Sequence, residues 1–210
     1  MKFSDSPFSF ICGITSLALM VLSYIGTLQH YDIYFNKDRI IENHEFWRLF
    51  TSVFFFGSMG IYPVVSLTCF LQSIVTIESN FFIYRPADFL IFLLVGMISL
   101  WAFSCFQPVF FLGSGLSAYM TYYSGKKAPD MVGIAFIIPI PMPFAYLNLL
   151  FLIMDFITKN TQSLFTHLVG YAAAHMYFYF HDVLSVRYNT NFLNAPRFLN
   201  TALNKFFNLF

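Results

Sequence analysis

The chain has 210 residues, of which 58% are hydrophobic and only 10% are charged, and it contains 30 phenylalanines and 13 tyrosines. Since a soluble domain carries about 25% charged residues, the composition excludes an ordinary soluble protein and predicts an integral membrane protein. The net charge of +1 comes without a basic stripe that could face phosphates, so we expect no nucleic-acid partner. The bilayer is the solvent that the fold must satisfy.

Charged residues divide the first half of the chain into apolar segments that match the roughly 20 residues needed to cross a hydrocarbon core about 30 Å thick. The first uncharged segment is 8–28, and the loop 31–48 that follows is rich in acidic and basic residues. A second uncharged segment covers 49–77, where Gly57, Gly60 and Pro63 predict a break or tilt. We therefore expect two spans before residue 78.

The second half predicts four more spans. Segment 89–125 is too long for one helix, and Gln107-Pro108 divides it, because proline lacks the amide proton that a helix interior needs. The prolines of "FIIPIPMPF" (136–144) disfavour a regular helix and predict an extended or re-entrant approach. A fifth span from about Pro143 to Thr158 and a sixth from Thr161 to Phe180 complete the pattern.

The sequence thus predicts an all-α membrane protein, a bundle of six transmembrane helices covering residues 1–182, with a short cytoplasmic tail at 183–210. Seven Lys and Arg residues fall on the side of both termini and four on the other, so both termini are expected in the cytosol. The first apolar segment is long enough to span and to remain as an anchor. Three cysteines lie in apolar segments without metal or disulfide spacing: Cys12, Cys69 and Cys105.

Polar groups within membrane spans are the natural functional candidates. They are Gln72, Ser114, Ser117, His167 and His175, with Asp155 and Lys159 near a span end. On a helix, His167, Gly170 and Ala174 share one stripe, and small residues in such a stripe let another helix approach closely. We expect this stripe to face a neighbouring helix.

His167 allows two interpretations. A packing histidine would be satisfied by a hydroxyl or a backbone carbonyl, whereas a general base would need a nucleophile within hydrogen-bond reach. Ser114, between Gly113 and Gly115, is the candidate nucleophile. His175, His181 and Asp182 form no recognisable ligand set, so we expect no metal and no cofactor.

Four stretches, in order along nearly the whole chain, resemble the derlin family, the rhomboid-like proteins of the endoplasmic reticulum. They are "FWRLFTSVFFFG" (46–57), "ESNFFIYRPADFLIFLL" (78–94), "HLVGYAAAHMYFYFHDV" (167–183) and "FLNAPRFLN" (192–200). The residues that match the family pattern are Trp47 and Arg48 at an interfacial or lipid-facing site, Gly170 and Ala174 in helix packing, and Glu78, Arg85, Pro86, Asp88, His175 and Tyr177 as further motif positions. Ala174 stands where the family has a second glycine.

The resemblance implies a rhomboid-like, non-proteolytic protein of the endoplasmic reticulum membrane, and so not an enzyme. Its expected role is to assist recognition and retrotranslocation of misfolded proteins to the cytosol for degradation. The implied partners are membrane lipids, misfolded substrates, a ubiquitin-ligase membrane complex and a cytosolic AAA ATPase. Contact with the ATPase is expected to be indirect, since the tail lacks the Gly- and Arg-containing binding motif that some derlins carry.

The alternative is an active rhomboid-type intramembrane serine protease with a Ser114/His167 dyad, whose surroundings fit much of the rhomboid pattern. Active rhomboids also carry a histidine and an asparagine on the second span that donate to the oxyanion, and neither residue type occurs between Arg48 and Glu78. Losing one such donor typically costs about 10² to 10³ in rate. A third hypothesis, a small transporter or scaffold, lacks enough mid-membrane polar groups to line a pathway.

Overall fold

The computed structural model of the protein describes residues 6–134, 141–188 and 193–207. In these ranges the chain folds into six long helices. They are α1 (Pro7–Ile25), α5 (Ile61–Thr76), α6 (Pro86–Phe106), α7 (Gly113–Lys127), α8 (Phe144–Ile157) and α9 (Thr161–Phe178), numbered in chain order with the shorter helices given below. The all-helical bundle that the sequence predicts is confirmed, and α8 and α9 lie close to the bounds expected for the fifth and sixth spans.

Shorter elements connect the long helices. The loop after α1 carries α2 (His30–Ile33) and α3 (Lys37–Glu42), and α4 (Trp47–Phe54) precedes α5; α10 (Ser185–Tyr188) and α11 (Arg197–Phe207) follow α9. Residues Ile77–Phe81 extend α5, and Tyr179–Leu184 extend α9, as π-helical turns.

The second predicted span is broken, as its glycines indicate. Between α4 and α5 the backbone at Gly57 has φ +118°, which L side chains rarely adopt. A Cβ at Gly57 would also lie 2.9 Å from the Pro63 ring. The chain therefore enters the bundle as a short helix, turns, and continues at a new angle.

The proline-rich segment before α8 is extended where the structure describes it. Strand β1 (Val132–Ile134) pairs antiparallel with β2 (Pro141–Pro143), with Val132 opposite Pro143 and Ile134 opposite Pro141. The remainder of the predicted re-entrant approach, 135–140, lies outside the described residues.

Helix α7 lies at the centre of the bundle and contacts α5, α6, α8 and α9. Most of its side chains are buried, hydroxyls included, because it faces protein on nearly every side. Three helices of the described chain are long and apolar enough to cross a membrane by length and composition: Pro7–Ile25, Ile61–Phe81 and Pro86–Phe106. Helix α8 is apolar but has only 14 residues.

Candidate functional site

Six polar side chains lie where α5, α7, α8 and α9 meet, and we call them the polar seam: Tyr62, Ser114, Asp155, Ser163, Thr166 and His167. Within membrane-spanning helices, polar side chains are expected to pair with one another or line a cavity. In the polar seam the side chains pair with one another, and they form two hydrogen-bonded groups.

The first group is built on Asp155 of α8. Its Oδ2 shares a hydrogen bond with Nδ1 of His167, and its Oδ1 accepts a 2.9 Å bond from the Tyr62 hydroxyl, which lies 3.0 Å from the Ser163 hydroxyl. His167 and Asp155 are 0% and 1% exposed. These contacts tie α5, α8 and α9 together.

The second ring nitrogen of His167, Nε2, has no hydrogen-bond partner in the described chain. The ring lies instead between Phe151, with centroids 5.6 Å apart, and Tyr171, which is nearly parallel to it at 6.2 Å. Sequence reasoning allowed a hydroxyl or a backbone carbonyl as the partner of a packing histidine. The partner is a carboxylate.

The second group joins Ser114 of α7 to α9. The Ser114 hydroxyl lies 2.9 Å from that of Thr166, which also donates to the backbone oxygen of Ser163 at 2.8 Å. In the described residues, no hydrogen bond joins Ser114 to His167. The two members of the hypothetical dyad thus hold different partners, although Thr166 and His167 are neighbours in sequence.

The small residues of α9 bring its backbone against that of α7. A Cβ at Gly170 would lie 2.3 Å from the carbonyl oxygen of Gly115, and one at Gly115 would lie 2.9 Å from the carbonyl oxygen of Thr166. Ala174, one turn further, is completely buried. The residues of the predicted stripe therefore contact two different helices: Gly170 faces α7, whereas His167 faces α8.

Trp47 and Arg48 have opposite environments. The Trp47 side chain is 54% exposed, and Arg48 is 2% exposed. The Arg48 guanidinium pairs with Glu45 and donates to the backbone oxygens of Tyr31 and Tyr34 at 2.8 and 3.2 Å. Arg48 thus binds loop carbonyls, and Trp47 remains at the surface.

Glu78 caps the first helix from a distance of 69 residues in sequence. Its carboxylate accepts the backbone N–H groups of Phe8 and Ser9 at 3.0 and 2.7 Å, and the Ser9 hydroxyl. The first N–H groups of a helix have no partner within it, and a carboxylate there is also favoured by the helix dipole. The span-closing glutamate therefore fixes the start of α1 against α5.

The Arg85–Asp88 motif holds the first turn of α11 and the residues just before it. Pro86 begins α6, and Asp88 pairs with Arg85 at 2.6 Å. Asp88 also accepts the backbone N–H of Ala195 at 2.5 Å and the Asn200 amide at 3.2 Å. The sequence did not indicate that this motif would bind the chain after the sixth span.

His175 and Tyr177 lie near the end of α9. Nδ1 of His175 is 2.9 Å from the Tyr122 hydroxyl. Tyr177 is 1% exposed and packs edge-on against Phe92, with centroids 4.9 Å apart, while its own hydroxyl has no partner in the described chain. Both residues thus contribute to helix packing.

Beyond the last span, a polar cluster that sequence reasoning missed surrounds Asp182. Its carboxylate pairs with Lys127, accepts the Tyr123 hydroxyl at 3.0 Å, and lies 3.3 Å from Nδ1 of His181. Burial acts to raise the pKa of Asp182, but the bonds to His181 and Lys127 outweigh it, and the pKa lies below its usual value. The cluster ties the ends of α7 and α9 together.

Chemically, this arrangement offers hydrogen-bond pairing between helices. The described residues contain no group of three or more His, Cys, Asp or Glu side chains that could hold a metal ion.

A family model described as the Der1-like family matches residues 10–197. The chain belongs to the Der1-like family. Among curated derlins, it is 26% identical over 199 residues to the probable derlin-2 homolog of Dictyostelium discoideum, covering 91% of this chain and 76% of that protein. It is 27% identical to derlin-1.2 of Zea mays (95% and 82% covered) and 25% identical to derlin-2.2 of Arabidopsis thaliana (87% and 80% covered).

Membership of the Der1-like family supports, at the level of the family, a role in endoplasmic-reticulum-associated degradation, and with the apolar helices it indicates a multi-pass membrane protein. Derlins are rhomboid-like and generally non-catalytic. The derlin resemblance read from the four sequence stretches is thus confirmed.

Proposed function

We propose that this derlin is a non-proteolytic component of endoplasmic-reticulum-associated degradation that assists recognition and retrotranslocation of misfolded proteins to the cytosol. It would act beside a ubiquitin-ligase membrane complex, with a cytosolic AAA ATPase engaged indirectly. Both termini would lie in the cytosol, in keeping with seven Lys and Arg residues on that side against four on the other.

The observation that carries the non-proteolytic assignment is the separate pairing of Ser114 and His167. A general base acts only on a proton within hydrogen-bond reach. In the described chain the Ser114 hydroxyl is bonded to Thr166, and the ring of His167, held at Nδ1 by Asp155, makes no hydrogen bond to Ser114 through Nε2. The absence of His and Asn between Arg48 and Glu78 adds to this, because the oxyanion donors would come from that segment.

Short helices support a role in moving polypeptide across the bilayer. The 14 residues of α8, at 1.5 Å per residue, span about 21 Å, against a hydrocarbon core about 30 Å thick. A span that is too short thins the bilayer beside it, at a cost of fractions of a kcal/mol per Å of mismatch. A substrate segment would therefore meet a thinner barrier beside α8.

The experiment is the turnover of a misfolded luminal reporter in cells that lack the protein. The proposal predicts a longer reporter half-life, restored by re-expression, and co-purification of ubiquitin-ligase components with the tagged protein. Unchanged turnover together with no ligase co-purification would refute it.

A second candidate function, rhomboid-type proteolysis by Ser114 and His167, is favoured by one observation. Asp155 orients Nδ1 of His167 and leaves Nε2 unpartnered in the described chain, as in a catalytic base held by a carboxylate. A fluorophosphonate probe tests it on the purified protein. Labelling that disappears in both Ser114→Ala and His167→Ala would establish the protease and overturn the proposal.

A further inference from the structure

Five aromatic side chains line a surface pocket of about 330 Å³ beside the first loop, and we call it the aromatic pocket: His30, Tyr31, Tyr34, Phe110 and Phe111. Three rings come from α2 and its C-terminal end, and two come from the segment that precedes α7. No aliphatic or charged side chain is among its lining residues in the described chain. The pocket is shallow and open to the surface, and it offers a ligand mainly aromatic rings.

The two halves of the aromatic pocket are fixed to each other. The backbone N–H of Phe35 donates to the backbone oxygen of Phe110 at 2.9 Å. Tyr34 meets Phe110 edge-on with centroids 5.5 Å apart, and His30 meets Phe111 at 5.9 Å and 68°. The rings are therefore positioned before a ligand arrives, which reduces the entropy that binding must cost.

Two rings of the pocket already attract cations. The Arg39 guanidinium carbon lies 4.2 Å from the centroid of the Tyr31 ring, and that of Arg48 lies 5.2 Å from the Tyr34 ring. The quadrupole of an aromatic ring makes its face electrostatically negative, so the face attracts cations within about 6 Å of the ring centroid. Among the described ion pairs, Glu45 neutralises Arg48, whereas none of them includes Arg39. The Arg39 guanidinium donates to the Tyr31 hydroxyl, and no acidic side chain among the described ion pairs neutralises it, so its charge is available to an anion at the edge of the aromatic pocket.

The side chains around the pocket have a composition that is typical of a membrane surface. Several large apolar side chains nearby in sequence are more than half exposed: Ile41, Phe46, Trp47, Phe50 and Phe106. Charged residues alternate with them in the loop 31–48. Aromatic side chains mixed with charges are typical of the headgroup layer, where an amphipathic ring has both apolar and wet neighbours.

We propose that the aromatic pocket binds the trimethylammonium group of a phosphatidylcholine headgroup, while Arg39 contacts the phosphate of the same lipid. Quaternary ammonium groups are recognised by aromatic cages because they carry charge yet have no hydrogen-bond donors to satisfy. A primary ammonium is strongly hydrated and would lose water contacts that these rings cannot replace. The zwitterionic headgroup matches the pocket and its neighbouring cation together.

The test measures lipid retention by delipidated, detergent-purified full-length protein using native mass spectrometry. Phosphatidylcholine, phosphatidylethanolamine and phosphatidylglycerol with identical acyl chains are added separately, and free phosphocholine is a fourth arm. We expect phosphatidylcholine to bind about fivefold more tightly than either other lipid, and free phosphocholine not to be retained at the same concentration.

Two variants assign that preference to the pocket. Phe110→Ala should abolish the discrimination between phosphatidylcholine and phosphatidylethanolamine, and Arg39→Gln should weaken retention of phosphatidylcholine severalfold. Phe106→Ala is the matched control, because it removes an 85% exposed phenylalanine four residues before the pocket. Thermal unfolding of each variant shows that it remains folded.

Three outcomes would overturn the proposal. One is equal binding of the three lipids by the wild-type protein. Another is a preference that survives in Phe110→Ala. The third is retention of free phosphocholine as strong as that of the lipid, which would indicate a soluble ligand.

Discussion

The contact between α7 and α9 predicts that the small substitution Gly170→Ala destabilises the protein. The new Cβ would lie 2.3 Å from the Gly115 carbonyl oxygen, and Cβ atoms essentially never approach another atom within 3.0 Å, so α9 must move away by at least the difference, 0.7 Å. A gap of that size forfeits about a quarter to a half of the dispersion energy of each contact it opens. Inserting a methyl group into a packed interior costs about 1–3 kcal/mol, against a gain of about 1 kcal/mol in helix propensity.

The same displacement disrupts the polar seam. The Ser114–Thr166 distance is 2.9 Å, and a 0.7 Å separation along that line would bring it to about 3.6 Å, beyond hydrogen-bond range. We expect Gly170→Ala to lower the thermal unfolding midpoint of the purified protein in detergent. Gly60→Ala is the matched control, since its Cβ would meet nothing closer than 3.6 Å. If the two variants unfold at the same midpoint as wild type, the inferred backbone contact is wrong.

Three further predictions concern the buried and terminal polar groups. Asp155→Ala removes the acceptor of both His167 and Tyr62, leaves buried polar groups without a partner, and should cost about 1–3 kcal/mol of stability. Tyr62→Phe deletes the hydroxyl contacts to Asp155 and Ser163, each worth about 0.6 kcal/mol on average, but keeps the Asp155–His167 bond, so it should cost less. Equal unfolding midpoints for the two variants would contradict this. Glu78→Ala leaves the first N–H groups of α1 without their carboxylate, so limited proteolysis should cut near the N-terminus faster than in wild type. The folded-state pKa of Asp182 is lowered, so its stabilising effect is present above the ordinary aspartate pKa of about 3.9 and is lost as the pH falls through the lowered value. In Lys127→Gln, which removes one cause of the lowered pKa, acid unfolding should begin at a higher pH. An unchanged acid midpoint would refute the role of the Lys127–Asp182 pair.

The order and break points of the helices could be predicted from the sequence, because charges, glycines and prolines mark them directly. Gly57 and the Gln107-Pro108 pair interrupt the chain where the structure interrupts it. The small stripe on α9 also indicated a close helix neighbour, and Gly170 lies against α7.

The partners of the polar side chains could not be predicted in the same way. Helix α8 reads "FAYLNLLFLIMDFI", in which Asn148 and Asp155 share one face, but the sequence does not fix the rotation that turns this face towards a particular neighbouring helix. The pairing of Asp155 with His167 depends on that rotation and on the tight turn between α8 and α9. A usable signal was present nonetheless, since Asp155 is the single charged residue between Met131 and Thr158.

Asp88 illustrates a second limit of sequence reasoning. It lies in a recognisable motif, yet its backbone partner Ala195 is 107 residues away. Backbone N–H groups are present at every position except proline, so sequence alone does not single one out as the donor.

The central claim, a derlin that promotes degradation without cleaving peptides, is tested most directly by rescue with Ser114→Ala. Cells lacking the protein are complemented with either wild type or Ser114→Ala at matched expression, and the half-life of a misfolded luminal reporter is measured. The account predicts that both restore turnover equally, because the Ser114 hydroxyl serves only to bond Thr166. Restoration by wild type but not by a folded Ser114→Ala protein would contradict it.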